Sequence, residues 1–179
     1  MRLKGHTALI SGSSSGIGRG VALGFAREGA AAIVINYPDE AQREAAESVA
    51  AAVHHSGARA YVIRADVSQE AEVAALVREA LAQLGRINIL VNNACVAHAD
   101  TVDTLQAETR DRAIGVHQRS MFLSTGAVPP GFYRQVVDRI INTASQLACK
   151  GAGGLSAYAA AKGGINALFP FAGARDGRE

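Results

Sequence analysis

Three consecutive stretches of this chain each read as a short apolar strand, an amphipathic helix and then a glycine. Thr7–Ser11 (TALIS) leads to a helix closing near Gly29, Ala32–Asn36 (AIVIN) to one closing near Gly57, and Ala60–Ala65 (AYVIRA) to one closing near Gly85. The three glycines fall 28 residues apart. A glycine just past a helix's last turn supplies the left-handed cap. The strands are apolar throughout rather than alternating, the pattern of a sheet covered on both faces. The second helix is expected to bury Ala41, Ala45, Val49, Ala52 and Val53. The third is expected to bury Val73, Leu76, Val77, Ala80, Leu81 and Leu84, with Ser68 as its N-cap. A fixed period can signal a solenoid. Strand–helix alternation with right-handed crossovers points instead to an α/β fold with a doubly wound parallel sheet.

The same alternation continues. A fourth strand is expected at Asn88–Val91, a helical stretch from about Leu105 to Gly126 broken by Pro129 and Pro130, a fifth strand at Val137–Thr143, and a helix from Ser156. Pro170 is expected to end that helix near Phe169, leaving 170–179 as a frayed tail. With 179 residues, 49% hydrophobic and 19% charged, the chain suits one domain, 1–179, with a real core. A net charge of +2 without a basic stripe argues against nucleic acid as a partner. No apolar run has the length of a signal peptide or a membrane span. Two distant cysteines, Cys95 and Cys149, suit a reducing, cytoplasmic setting, and the five histidines show no metal-ligand spacing.

Two short stretches carry chemistry. SGSSSGIG, Ser11 to Gly18, lies between the first strand and the first helix. Residues without a Cβ allow a tight turn and close backbone approach, and a helix N-terminus offers free N–H groups and a positive dipole end. A Gly/Ser-rich surface turn is the plainer reading. The strand–loop–helix context favours a pyrophosphate site built from Gly12, Ser14, Ser15, Gly16, Ile17 and Gly18. SAYAAAK, Ser156 to Lys162, is an alanine-rich helix that sets Tyr158 and Lys162 four residues apart on one face. A phenol ordinarily titrates near pH 10, and an ammonium beside it favours the charged form, so such a pair can serve as an acid–base device.

Taken in order, these motifs resemble the short-chain dehydrogenase/reductase family. The loop spacing G-x-x-x-G-x-G matches, with Ser11 where the family usually has threonine. Asp66-Val67 ends the third strand, Asn92-Asn93-Ala94 ends the fourth, and Ser145 stands 13 residues before Tyr158 in Tyr158-x-x-x-Lys162. The resemblance runs from about residue 5 to Leu168 and is greatest to 3-oxoacyl-carrier-protein reductases and sugar dehydrogenases. It implies a Rossmann-like sheet in the order 3-2-1-4-5. It also implies an NAD(P)-dependent oxidoreductase acting on a small carbonyl or secondary-alcohol substrate. Tyr158 would be general acid/base, Ser145 would hold the substrate oxygen, and Lys162 would tune Tyr158 and bind the nicotinamide ribose. Asp66 and Val67 would hold the adenine, with Asn93 and Ala94 along the same cofactor cleft.

The chain departs from the family at four places. Cys95 replaces a glycine, which implies either weaker cofactor binding or simple packing of a small thiol. His117 stands where many relatives have an asparagine in a water relay behind the lysine. It either keeps that relay or is a core histidine satisfied by backbone groups. At the end of the second strand, Asn36-Tyr37-Pro38 carries no acid, which leans towards NADP over NAD; aspartate at Asn36 is expected to shift preference to NAD. Finally, the resemblance implies roughly 70 further residues, with two more strands and a substrate loop. A chain without them leaves the fifth strand as a sheet edge, only partly protected by Asp138 and Arg139. Self-association as a homo-oligomer is then expected. The competing expectation is a catalytically impaired fragment that binds nucleotide or pairs with other subunits.

Overall fold

A computed structural model of the protein describes residues 1–133 and 138–173. Strands β1 (Thr7–Ile10), β2 (Ala32–Tyr37), β3 (Arg59–Arg64), β4 (Ile89–Asn92) and β5 (Arg139–Asn142) form one parallel sheet. Its order is β3-β2-β1-β4-β5, as the resemblance implies. Helices α1 (Gly16–Arg27), α2 (Arg43–His55) and α3 (Glu70–Leu84) connect the first four strands. Gly29, Gly57 and Gly85 follow them with φ of 88°, 87° and 71°, the left-handed values that end each helix.

The apolar strands are explained by two cores. On one face Ala8, Ile10, Ile33, Ile35 and Val91 pack with Ala22 and Ala26 of α1 and Val49 and Val53 of α2. On the other, Leu9, Val34, Ile63 and Leu90 pack with Val73, Leu76, Val77 and Ala80 of α3. The α3 stripe is as expected, except that Leu81 is only partly buried. The α2 stripe is corrected: Ala46, Val49, Ala50 and Val53 are buried, Ala52 is half-buried, and Ala41 and Ala45 are exposed. A 3₁₀ turn at Glu40–Gln42 delays α2 until Arg43 and shifts the face it turns inward.

Beyond β4 the expected single helix is three pieces. Helix α4 (Ala107–Ile114) passes through a π turn at Gly115–Arg119 into α5 (Ser120–Ala127). A short α6 (Pro130–Tyr133) begins on Pro130, whose fixed φ suits a first helical position. The first residue expected of the fifth strand, Val137, lies outside the described residues. After β5 come a single-turn α7 (Leu147–Lys150) and α8 (Ser156–Gly173). Pro170 does not end α8, which runs on to Gly173. A proline removes its own N–H, while later residues keep theirs and can still bond backwards. The rest of the expected tail, 174–179, lies outside the described residues. Among the described residues, no helix is long and apolar enough to cross a membrane.

Candidate active site

The strand order reverses at β1, whose neighbours are β2 and β4, and a crevice at the carboxyl ends of the strands follows from that reversal. The glycine loop leaves β1 there. Gly12 has φ of +58°, and a Cβ on it would stand 2.7 Å from the Cα of Ala94. A Cβ on Gly18 would lie 2.3 Å from the Gly12 carbonyl oxygen and 2.6 Å from Asn93 Nδ2. Both contacts are too close for any side chain, so the loop lies flat against the end of β4. Ser11 Oγ accepts from the N–H groups of Asn93 (3.0 Å) and Ala94 (3.1 Å). Asn93 Nδ2 donates back to the carbonyls of Ser11 (3.1 Å) and Gly12 (3.0 Å). Helix α1 begins at Gly16 with no side-chain cap from Ser15 and no acid in its first turn. Its leading amides therefore keep their affinity for an anion.

Asn36 braces this loop. It is 1% exposed. Its Oδ1 accepts from Gly12 N–H at 3.1 Å, and its Nδ2 donates to the carbonyls of Ala65 (3.1 Å) and Ile63 (3.3 Å). The corner at the end of β2 is instead finished by Pro38, Ser14 and Gln42, with Ser14 Oγ donating to Gln42 Oε1 at 2.7 Å.

Past β3, Ser68 is not the cap of α3; Gln69 occupies that position. Ser68 serves Asp66, whose Oδ1 accepts from Ser68 N–H (3.0 Å) and Oγ–H (2.8 Å). Asp66 Oδ2 accepts from Arg112 Nη1 of α4 at 2.6 Å. Burial pushes the Asp66 carboxyl up, but the Ser68 N–H, the Arg112 guanidinium and the Ser68 hydroxyl together hold it below its ordinary value.

The other end of the crevice is built by the β5–α8 segment. Ser145 is half-buried before α7, where its Oγ accepts from Leu147 N–H at 3.2 Å. On α8, Lys162 is 2% exposed and donates to the Thr143 carbonyl at 2.5 Å. Its Nζ lies 5.7 Å from the centroid of the Tyr158 ring. Burial pushes the Lys162 ammonium down from its ordinary value, and the nearby Cys95 opposes this. The π turn carries His117 against the edge of Tyr158, centroids 5.2 Å apart and rings at 88°. His117 Nε2 donates to the Val96 carbonyl at 2.8 Å, which leaves Nδ1 the acceptor of the neutral ring, buried and, among the described residues, without a partner. His117 is thus half satisfied by backbone, between the two expectations for it.

These ends share one cleft of about 570 Å3, within the usual range for small-ligand sites. Gly12, Ser14, Ser15, Gly16 and Ile17 line it at the loop, and Asp66 and Val67 past β3. Asn93, Ala94, Ser145, Tyr158 and Lys162 complete it. Of the expected residues, Gly18 and His117 stand behind its wall, and Asn36 reaches it with its side chain committed to backbone. Cys95 is exposed at its rim; the close approach here is between Gly12, which has no room for a Cβ, and Ala94. A second cavity of about 370 Å3, bounded by Val96, Leu105, Ala113 and Ala157, adjoins Tyr158. Sequence reading missed Arg112 and Gln42. Each meets its partner across a long gap in the chain, with no local signal.

A parallel sheet that reverses at β1, with a loop there whose Gly12 and Gly18 admit no Cβ and with Ser145, Tyr158 and Lys162 near the same cleft, defines a doubly wound α/β protein. The chain belongs to the short chain dehydrogenase family, whose sequence profile matches residues 6–173. It is 38% identical to the D-beta-hydroxybutyrate dehydrogenase of Cupriavidus necator over 165 residues, 91% of this chain and 62% of that protein. It is 32% identical over 162 residues to the 3-oxoacyl-acyl-carrier-protein reductase FabG of Staphylococcus aureus, 90% of this chain and 65% of that one. The fold matches the crystal structure of a blue fluorescent protein from a metagenomic library in complex with NADPH. That match has a TM-score of 0.84 and 30% identity, over 94% of this chain and 67% of the other. The chain thus spans under two thirds of the length of these curated relatives.

Proposed function

We propose that the protein is an NADP-dependent oxidoreductase that interconverts a small carbonyl compound and its secondary alcohol. One observation carries this: the glycine loop and the Ser145–Tyr158–Lys162 group wall a single cleft. The residues present suit a dinucleotide. The flat loop and uncapped α1 amides favour a pyrophosphate, Asp66 and Val67 an adenine, and Lys162 and Asn93 the nicotinamide riboside end. When bound, the nicotinamide supplies or accepts the hydride. Tyr158 gives its proton to the carbonyl oxygen in reduction and takes one from the alcohol in oxidation. Ser145 donates a hydrogen bond to the same oxygen and steadies the charge that develops there. Lys162 uses one of its three donors on Thr143 and keeps the others for the ribose and the phenol side. His117 Nδ1 provides a buried acceptor for a water relay behind Tyr158 and Lys162. The NADP preference is supported by the acid-free corner of Pro38, Ser14 and Gln42, and by the NADPH bound in the related structure.

The test is NADPH and NADH oxidation by the purified chain against 3-oxoacyl thioesters, ketones and aldehydes. Tyr158→Phe should lower kcat by about 10²–10⁴-fold with nucleotide affinity nearly intact. Lys162→Ala should damage both. Equal, mild effects of the two changes would rule out these roles. A second reading, a nucleotide-binding subunit with impaired turnover, is supported by the lack, among the described residues, of a strand beyond β5. It is distinguished by tight NADPH binding without turnover of any substrate in the panel.

A further inference from the structure

From the ring of contacts around Asp66 we infer that Arg112 is a positioning residue for base selectivity. It aims the Asp66 carboxylate so that the cleft prefers a 6-amino purine over a 6-oxo purine. This rests on the dinucleotide reading of the cleft. A carboxylate has about four acceptor sites on its two oxygens. Ser68 N–H and Oγ–H occupy Oδ1, and Arg112 Nη1 occupies one site of Oδ2. Arg112 Nη1 also donates to Ser68 Oγ at 2.6 Å, closing a ring of carboxylate, hydroxyl and guanidinium. One acceptor site on Oδ2 is left, on a residue that lines the cleft. The exocyclic amine of adenine is a donor that suits it. The oxygen of hypoxanthine in the same place is an acceptor that the carboxylate repels.

The surroundings fix this ring. Arg119 Nη1, on the π turn, donates to the Ser68 carbonyl at 2.7 Å. Gly115 brings the helix so near that a Cβ on it would lie 3.3 Å from Ser68 Cβ. Glu72 accepts from Asp66 N–H at 2.8 Å. The Asp66 loop is therefore already held without Arg112. The Arg112 side chain is 42% exposed, and an ion pair so open to water adds little to stability. With Oδ1 held by Ser68, what Arg112 adds is the bond to Oδ2, which sets which lone pair of that oxygen stays open to the cleft.

The experiment titrates the protein with NADPH and with its hypoxanthine analogue. Arg112→Met, which keeps the aliphatic stem, is compared with Arg112→Lys and Arg119→Ala, with thermal melts of each. The wild type should bind the adenine form about tenfold more tightly, the scale of one hydrogen bond to a charged group. Arg112→Met should bring the two affinities to within about twofold. Arg112→Lys should restore part of the preference, and Arg119→Ala should lower Tm while keeping the ratio. A folded Arg112→Met protein with the wild-type ratio, or a wild type without preference, would overturn the inference. A wild type that binds neither dinucleotide would overturn the reading of the cleft, and this inference with it.

Discussion

Asn36 brings a single amide to backbone groups of two segments, Gly12 in the glycine loop and Ile63 and Ala65 around the end of β3. Sequence alone suggests that aspartate there should turn the cofactor preference towards NAD. The geometry gives a different expectation. A carboxylate can still accept from Gly12 N–H, but it cannot donate to Ile63 and Ala65, whose carbonyl oxygens would face it without water. Asn36→Asp should therefore lose about 2–3 kcal/mol in urea unfolding and weaken NADPH binding through the displaced loop. A clean exchange of NADPH for NADH at unchanged stability would show that residue 36 faces the ribose instead. His117 gives a pH prediction. Burial holds its imidazole below the ordinary 6.5; the Val96 carbonyl opposes this, and the Lys162 ammonium adds to it. The native state then binds fewer protons at this site than the unfolded chain. Its contribution is full above about pH 6.5 and lost as pH falls through the folded value. In melts from pH 7 to 5, His117→Asn should flatten the decline, and an unchanged slope would refute the assignment.

At the scale of elements, β5 is held at its start by charge. Asp138 has a side chain 1% exposed and accepts from Arg86 at 2.7 Å and from Asn88 at 3.0 Å. It faces inward, so it does not shield the sheet edge as the sequence suggests. Arg86→Ala leaves a buried carboxylate with only Asn88 and should cost about 3 kcal/mol. Arg86→Ala with Asp138→Asn should recover much of that in the same unfolding assay; no recovery would mean that the arginine acts through packing. The first three strands and the glycine caps were legible because each follows from a local period. The α2 stripe is not legible in the same way, because its phase depends on where the helix starts, and a 3₁₀ turn at Glu40–Gln42 sets that start at Arg43. The π turn has no signature in composition; the contacts made within it are tertiary, His117 reaching Val96 and Gly115 lying beside Ser68. Ser145, Tyr158 and Lys162, which the resemblance assigns to one site, do line one cleft. Arg112 was not legible, because its partner Asp66 lies 46 positions away.

On the scale of the whole molecule, β5 pairs with β4 on one side, and among the described residues no strand lies on its other side. Ile141 is 44% exposed there. Unpaired edges recruit other strands. The chain should therefore sediment as a concentration-dependent oligomer that Ile141→Lys shifts towards monomer. A wild-type monomer at every concentration would show the edge to be closed. The Ser11 hydroxyl carries a consequence in time rather than in space. It fastens the loop after β1 to Asn93, 82 positions later. A growing chain finishes β1, its loop and β2 long before the residue that pins them has been made. Contacts across so many residues form slowly. The capacity to hold a nucleotide should thus be among the last properties gained during refolding. Helical circular dichroism should recover before the enhancement of NADPH fluorescence, and Ser11→Ala should lengthen the lag.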